Sequence, residues 1–404
     1  MTIACPDCGT LQQLPRLRRG DVATCGRCEA RLERVWARSI NVALACSLAT
    51  FILLFPANLT SLLEVRFAGL VLDIRLGSGV LALIGKGWIL LALMIAVTAV
   101  LLPFIRYALL TAALGAVQLG LGKTWRGPVF RWAILLDRWS MPEVFLIAAI
   151  IGYARIEAQA SIVYVGPGGY CLLAASALAM LSRALLDRRT VWRALGPETT
   201  LAPGAAVLSC TVCDLVQPLE REGQPCPRCG LTLRRRIPGV RKRTLALIIA
   251  SLLLYIPANV FPMNVTHYPD HYERYRIIDG VMALFGAGLW PLGIMISCTS
   301  IGIPVAKLVG LGWCLLSIHR RSNRHLVLKT KLYRLIDESG RWSNVDPFII
   351  AVIVPLMHFR NFIVTDAGVA ASAFIAVVVL TMTASRSFDP RLMWDAALEH
   401  TGGR

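Results

Sequence analysis

Eight of the twelve cysteines fall into two sets with the spacing of a thiolate metal site. Cys5 and Cys8 pair with Cys25 and Cys28, and Cys210 and Cys213 with Cys226 and Cys229. A C-x2-C knuckle presents two sulfurs to one cation, and two knuckles complete the tetrahedron of a ribbon. Cys5-Pro6-Asp7-Cys8-Gly9 and Cys226-Pro227-Arg228-Cys229-Gly230 also carry the proline and glycine that tight thiolate turns use. Zinc in a structural role is the expected metal at both sites. Rubredoxin-like iron or a thiol redox pair is the alternative, because four thiolates also suit iron. Four filled positions leave none open for a substrate, which argues against a zinc hydrolase. The remaining Cys46, Cys171, Cys298 and Cys314 lie in apolar runs and read as small buried residues.

A second group is defined by polar side chains inside apolar runs. Ser297, Thr299, Ser300 and Lys307 share one run, Ser343 and Asp346 open another, and Thr381 and Thr383 lie in a third. Ser300 and Lys307, seven residues apart, fall on one helix face. An ionisable group within a membrane span is costly and by default marks a substrate or proton pathway. Two milder roles compete with this one: Lys307 snorkels to the interface, and Asp346 and Glu143 cap helices. Ser300, Lys307, Ser343 and Thr381 form the candidate polar path, with inter-helix hydrogen bonding as the alternative for the hydroxyls. His267, Asp270, His271 and Glu273 suit an external metal site only on a helix, which Pro269 opposes, so a solvated loop is expected. No phosphate-binding glycine loop, nucleophile elbow or facing carboxylate pair is present, so nothing reads as an ATPase or hydrolase.

The elements that must position these groups are membrane helices. The 404 residues are 56% hydrophobic with mean hydropathy +0.61, above the range of soluble domains. The net charge of +18 is unevenly placed. Residues 1–38, 123–138, 183–243 and 319–341 hold seven, four, twelve and seven Lys+Arg, whereas 58–78, 152–168, 259–279 and 359–367 hold six in total. By the positive-inside bias the first group faces the cytoplasm, which puts both cysteine sets in a reducing compartment. The same bias accounts for most of the basic pI, so no nucleic-acid partner is expected. The chain opens on a knuckle rather than a cleavable signal, so the first span is expected to drive insertion.

The expected order is a zinc ribbon at 1–36, a four-helix membrane module at 37–192, a second ribbon at 205–240 and a second module at 241–395. A small hairpin outside the membrane is expected over 62–75. The long runs 80–121 and 281–318 are each taken as one helix bent at Pro103 or Pro304. A pair of spans there would place His319-Arg320-Arg321 outside, against the charge rule. The fold class is therefore all-α and polytopic: two tandem modules, each a small β ribbon and four spans, eight spans in total, with both termini cytoplasmic.

The halves are a duplication. Cys229 follows Cys28 by 201 residues, and Pro257-Ala258-Asn259 follows Pro56-Ala57-Asn58 by the same offset. Pro304 answers Pro103, and Lys307 answers Arg106. Trp342-Ser343, Asp346 and Phe348 repeat Trp139-Ser140, Glu143 and Phe145 at an offset of 203, and Trp394 follows Trp192 by 202. The Pro-Ala-Asn turns read as proline-ended helices whose asparagine satisfies the last carbonyls.

Two ribbons each ahead of four spans, Pro-Ala-Asn after the first span and Trp-Ser-x2-(Asp/Glu)-x-Phe before the third resemble the paraquat-inducible protein A family. The resemblance runs from Cys5 to Trp394. It implies a bacterial inner-membrane protein, not an enzyme, working with a periplasmic MCE-domain partner whose tunnel carries phospholipid between membranes. Ser300, Lys307, Ser343 and Thr381 would then line a lipid path or couple protons. A thiol or metal redox protein, and a membrane scaffold whose ribbons bind a cytoplasmic partner, are the competing functions.

Overall fold

The computed structural model describes residues 2–15, 17–18, 20–34, 39–67, 70–85, 87–122, 124–157, 162–196, 206–267, 271–286, 288–356 and 364–401. Arg16, Arg19, Lys86, Lys123, Pro269 and Asp270 lie outside them. The first ribbon pairs β1 (Thr2–Ala4) with β2 (Leu11–Gln13) and β3 (Val22–Thr24) with β4 (Arg31–Arg34). The first module comes next as α1 (Ser39–Leu59), β5 (Leu63–Phe67), β6 (Leu70–Ile74) and α2 (Leu76–Gly85). It continues with α3 (Ile89–Gln118), α4 (Arg126–Leu136), α5 (Pro142–Glu157), β7 (Ile162–Val165), α6 (Pro167–Leu185) and α7 (Arg188–Leu195). In the second ribbon β8 (Val207–Ser209) pairs with β9 (Val216–Pro218). The second module repeats the first: α8 (Val240–Val260), β10 (Asn264–His267), β11 (Tyr272–Tyr275), α9 (Ile277–Gly286), α10 (Trp290–His319), α11 (Leu326–Ser339), α12 (Val345–Leu356), β12 (Val364–Ala367), α13 (Val369–Ser387) and α14 (Arg391–Thr401).

Six helices, α1, α3, α6, α8, α10 and α13, are long and apolar enough to cross a membrane; α5 and α12 are shorter and apolar. Within each module the first and last of these pack along their length, α1 on α6 and α8 on α13. Small residues at heptad spacing allow it. Ala43, Thr50 and Ala57 on α1 are fully buried, as are their repeats Thr244, Ser251 and Ala258 on α8. Side chains of this size let helix backbones approach closely where lipid offers no hydrophobic drive for association. The outward faces carry Ile52, Leu253 and Val309, all more than half exposed, as lipid-facing helices require.

The runs 80–121 and 281–318 are not single helices. Each divides at a glycine with positive φ, Gly87 at +79° and Gly288 at +75°, a conformation open to glycine without strain. The leading piece, α2 or α9, has 10 residues and a length of about 15 Å, too short to cross by itself. The prolines do more than bend α3 and α10. A π-helical turn, Ala96–Leu101 or Cys298–Gly302, precedes Pro103 or Pro304, and its wider bore accommodates the ring that would clash with an ordinary turn.

The 62–75 hairpin forms as β5–β6, but a third strand arrives from far along the chain. β7 pairs antiparallel to β5, with Leu63 opposite Val165, and β12 likewise pairs with β10, with Asn264 opposite Ala367. The segment expected as a solvated loop around His267 is therefore part of a three-stranded sheet. Each sheet ties the end of the first membrane helix to the start of the last. The modules meet along α5 and α12, where the repeat-related Phe145 and Phe348 face edge to face at 5.6 Å, marking a pseudo-twofold axis.

At the sheet–helix corner Gly166 leaves no room for a side chain, since a Cβ would lie 2.3 Å from the Ser61 carbonyl oxygen; at Gly368 it would lie 1.9 Å from that of Pro262. Gly166→Ala and Gly368→Ala are each expected to destabilise the protein by about 1–3 kcal/mol, as overpacked sites do. Thermal unfolding in detergent checks this, with Gly77→Ala, whose Cβ meets nothing within 4 Å, as the neutral control.

Candidate metal centres and buried polar cluster

Four copies of one knuckle build the two cysteine sites. In each, the first cysteine's carbonyl accepts from the residue after the second: Gly9 to Cys5 at 2.9 Å, Glu29 to Cys25 at 2.9 Å, Asp214 to Cys210 at 3.1 Å and Gly230 to Cys226 at 2.8 Å. That residue is left-handed every time, with φ between +55° and +73°, so both glycines stand where their freedom is needed. The turns aim the sulfurs inward. Within each set the four Sγ atoms lie within 4.8 Å of one another, and all eight cysteines are buried.

Sγ–Sγ separations of 3.5 Å for Cys5–Cys28, Cys210–Cys229 and Cys213–Cys226 and 3.6 Å for Cys8–Cys25 are far longer than a disulfide. They approach the roughly 3.8 Å that a tetrahedron of metal–sulfur bonds near 2.3 Å imposes. Four thiols held so close cannot all ionise without a cation between them. Left to share protons they split: hydrogen bonds with Cys210, Cys226 and Cys229 push the Cys213 thiol up, while those with Cys210, Cys213 and Cys229 push Cys226 down. Each set can hold one metal ion. Among the described residues these are the sole groups of three or more His, Cys, Asp or Glu side chains so placed; His267, His271 and Glu273 form none, and Asp270 lies outside the described residues. Of the other cysteines, Cys46 and Cys314 are buried as expected, Cys171 is partly so, and Cys298 is exposed on the helix exterior.

The ribbons dock crosswise, which nothing in the sequence announces. The first sits on the second module: Arg334 of α11 reaches Asp7 at 2.6 Å, the Cys28 carbonyl at 2.9 Å and the Cys28 sulfur at 3.5 Å. Arg27 lies over the Trp394 ring at 4.7 Å. The second sits on the first module, where Arg131 of α4, the repeat partner of Arg334, donates to the Cys229 carbonyl at 3.0 Å. Arg391 joins the two ribbons, reaching Pro6 O at 3.0 Å and Ser209 Oγ at 3.2 Å, so both lie on one side of the helices.

Below the ribbons each module buries one basic residue at the same place in its longest helix. Arg106 is 2% exposed and Lys307 fully buried, which removes snorkelling as the reading of Lys307. Their surroundings differ. Arg106 lies 2.6 Å from Asp137 and 2.7 Å from the Tyr107 hydroxyl. Asp137 also takes Arg183 at 2.7 Å and Arg188 at 3.1 Å. Burial pushes its carboxyl up, but Arg106, Arg183 and Arg188 outweigh that and hold it well below the usual range. In the second module Gly340 stands where Asp137 does, offset by 203. Lys307 Nζ therefore donates to neutral oxygens, Ser343 Oγ at 2.8 Å and Gly340 O at 3.3 Å.

Two turns along α10, the Ser300 hydroxyl has two acceptors within reach of its single proton, the Ile296 carbonyl at 2.7 Å and the Asp346 carboxylate. Asp346 is thus a partner of Ser300 as well as a first-turn residue of α12, and Glu143 takes Arg183 and, across the modules, Arg341 at 3.3 Å, so pairing rather than simple capping describes both. The structure joins Lys307 to Ser343 and Ser300 to Asp346. Thr381 is buried but donates back to Val378 O at 3.1 Å, and Thr383 to Val379 O at 2.7 Å. The asparagines of the Pro-Ala-Asn turns satisfy carbonyls as expected, Asn58 to Leu54 O at 2.7 Å and Asn259 to Tyr255 O at 2.8 Å. The arginine–carboxylate cluster around Asp137 and Glu143 carries no signal in the sequence beyond basic residues next to span ends, which the topological bias already explains.

Crossed docking is testable at Gly127, where a Cβ would lie 1.9 Å from the Arg228 carbonyl oxygen. Gly127→Ala is expected to lift the second ribbon off α4, raising hydrogen exchange over residues 206–236 at least tenfold while metal content stays unchanged. Unaltered exchange would refute the docked geometry.

Comparison with known proteins recovers the two modules. The model of the family described as paraquat-inducible protein A matches residues 40–196 and 241–397, the two modules without their ribbons. The chain is 28% identical over 406 aligned positions to the intermembrane transport protein PqiA of Escherichia coli K12, covering 97% of this chain and 95% of that one. It is 28% identical over 399 positions to the lipophilic envelope-spanning tunnel protein A of the same organism, covering 97% and 91%. A probable intermembrane transport protein of Haemophilus influenzae shares 25% over 407 positions, covering 97% and 95%. No solved structure matches the chain. The chain belongs to the paraquat-inducible protein A family.

Proposed function

We propose that this protein is the inner-membrane subunit of an intermembrane transport system, passing phospholipid to or from a periplasmic MCE-domain tunnel, with no enzymatic step of its own. The names of its relatives support transport between membranes. In this reading α5 and α12 complete eight crossings, and both ribbons and both termini are cytoplasmic. α5 supports it, because it runs from the Arg183–Glu143 contact at its start to the sheet strand beyond its end.

The observation that carries the reading is the unequal treatment of the two buried basic residues. Arg106 is paired with the Asp137 carboxylate, whereas Lys307 Nζ meets only the neutral oxygens of Ser343 and Gly340 among its hydrogen-bond partners. A buried cation with neutral partners is expensive and finds a use in a pathway rather than in stability. The second module is then the working one, with Lys307–Ser343 and Ser300–Asp346 as successive polar stations along α10 and the buried Thr381 of α13 as a further candidate.

Zinc is the assigned metal of both ribbons, with the ligands Cys5, Cys8, Cys25 and Cys28, and Cys210, Cys213, Cys226 and Cys229. Elemental analysis of the purified chain is expected to give about two zinc ions per chain; iron with a visible thiolate band would support redox chemistry instead.

Lys307→Met tests the transport reading. Exchanging a buried charge for an apolar side chain of similar length is expected to leave stability unchanged or raised. Cells that depend on this protein are expected to lose outer-membrane resistance to detergent at undiminished protein level, and Ser343→Ala to weaken it in the same direction. An intact barrier with Lys307→Met would sink the proposal.

A further inference from the structure

A cleft of about 100 Å³ opens between the modules on the ribbon side, lined by Arg138, Arg188, Arg341 and Arg386 against Asp137, Asp337 and Glu338. Its charges do not cancel. Asp137 is committed to Arg106 and Arg183 as well as Arg188. Asp337 takes Arg138 of the other module at 3.1 Å, and Glu338 is 80% exposed and 3.9 Å from Arg341. Arg386 remains. Its guanidinium stacks on the Trp139 ring of the opposite module, 4.4 Å from the centroid, and donates to no protein acceptor among the described residues. Stacking fixes the plane of the group and leaves its N–H edge free, the form in which arginine recognises oxyanions.

The duplication shows what belongs there. Arg183, which the offset of 202 along this helix aligns with Ser385, the residue next to Arg386, donates to Asp137 at 2.7 Å, to the Ser140 carbonyl at 2.9 Å and to Glu143. In the second module Gly340 replaces Asp137 and the counterpart of Glu143, Asp346, is engaged by Ser300. The carboxylate that the first module supplies from its own chain is missing from the second, and the cleft lies where it would be, with Gly340 in its wall.

We propose that this cleft is an anion site that takes a phosphoryl group on Arg386, with Arg188 and Arg341 beside it, in the place that Asp137 fills in the first module. The ligand class is a phosphate oxyanion, carried either by a phospholipid head group of the ribbon-side leaflet or by a free phosphate. A ligand there would touch residues of both modules and so bridge them. The site stands on the cleft and not on transport: a protein that binds the probes yet leaves the envelope barrier untouched keeps the site and loses the transport reading.

The test uses the full chain in a non-ionic detergent, titrated calorimetrically with inorganic phosphate and with soluble dihexanoyl phosphatidylglycerol. Binding of at least one probe is expected, weakened at least tenfold both by Arg386→Gln and by Gly340→Asp, which returns the missing carboxylate, and unchanged by Arg241→Gln on the exposed start of α8. Gly340 tolerates a side chain sterically, since its Cβ would meet nothing closer than 3.8 Å. Binding of phosphatidylglycerol alone assigns the site to a lipid head group, and binding of inorganic phosphate assigns it to the free anion as well. Absence of binding by the wild type, or binding that Arg386→Gln and Gly340→Asp leave intact, overturns the proposal.

Discussion

A cation buried in a helix bundle within the membrane has to find a partner, because neither lipid nor an apolar core will solvate it. Both modules place one at the same point of their longest helix, just beyond the π turn and proline, and the surrounding polar architecture depends on that placement. The first module satisfies Arg106 with Asp137, which then has to be shared with Arg183 and Arg188, and Glu143 is drawn in behind them. The second module has no carboxylate at that position, so Lys307 leans on a hydroxyl and a carbonyl. A single exchange of Asp for Gly accounts for a saturated cluster on one side, and for an underpaired lysine beside a polar cleft on the other.

The interface between modules grows from the same groups. Arg138 and Arg341 are repeat partners, and each reaches across to the other module, to Asp337 and to Glu143. With Phe145 against Phe348 beside them, the contact has an apolar centre at the membrane helices and an ionic rim on the ribbon side. The ribbons close that side from above. Each is held by an arginine of the module it does not precede, and Arg391 links them, so cysteine turns and membrane helices form one cross-braced body.

Much of this was legible in the residues. C-x2-C pairs encode their own turn, because the left-handed residue after the second cysteine and the inward sulfurs are decided within six residues. The first hairpin, the Pro-Ala-Asn helix ends and the repeat register were local in the same sense. Other features were not. The third strand of each sheet comes from a segment about a hundred residues away in the first module, and strand pairing over that distance leaves no periodicity to read. The break at Gly87 and Gly288 was hidden because an apolar run has the same composition whether it is one helix or two. The π turns were hidden because proline signals a disturbance of the ladder without saying how the ladder is repaired.

The sequence by itself determined the two four-cysteine clusters, the duplication, the membrane character and the choice of polar residues within apolar runs. Each of these is carried by residue type and short spacing, and none depends on what packs opposite. Tertiary structure alone decided which charges meet. Asp137 and Glu143, Arg183, and Arg341 come from three separate stretches of chain and two modules, and an ion pair is a matter of distances of a few ångströms, which spacing along the chain does not reveal. The same holds for crossed docking: Arg131 and Arg334 look like ordinary loop-side basic residues until the fold brings a cysteine carbonyl to each.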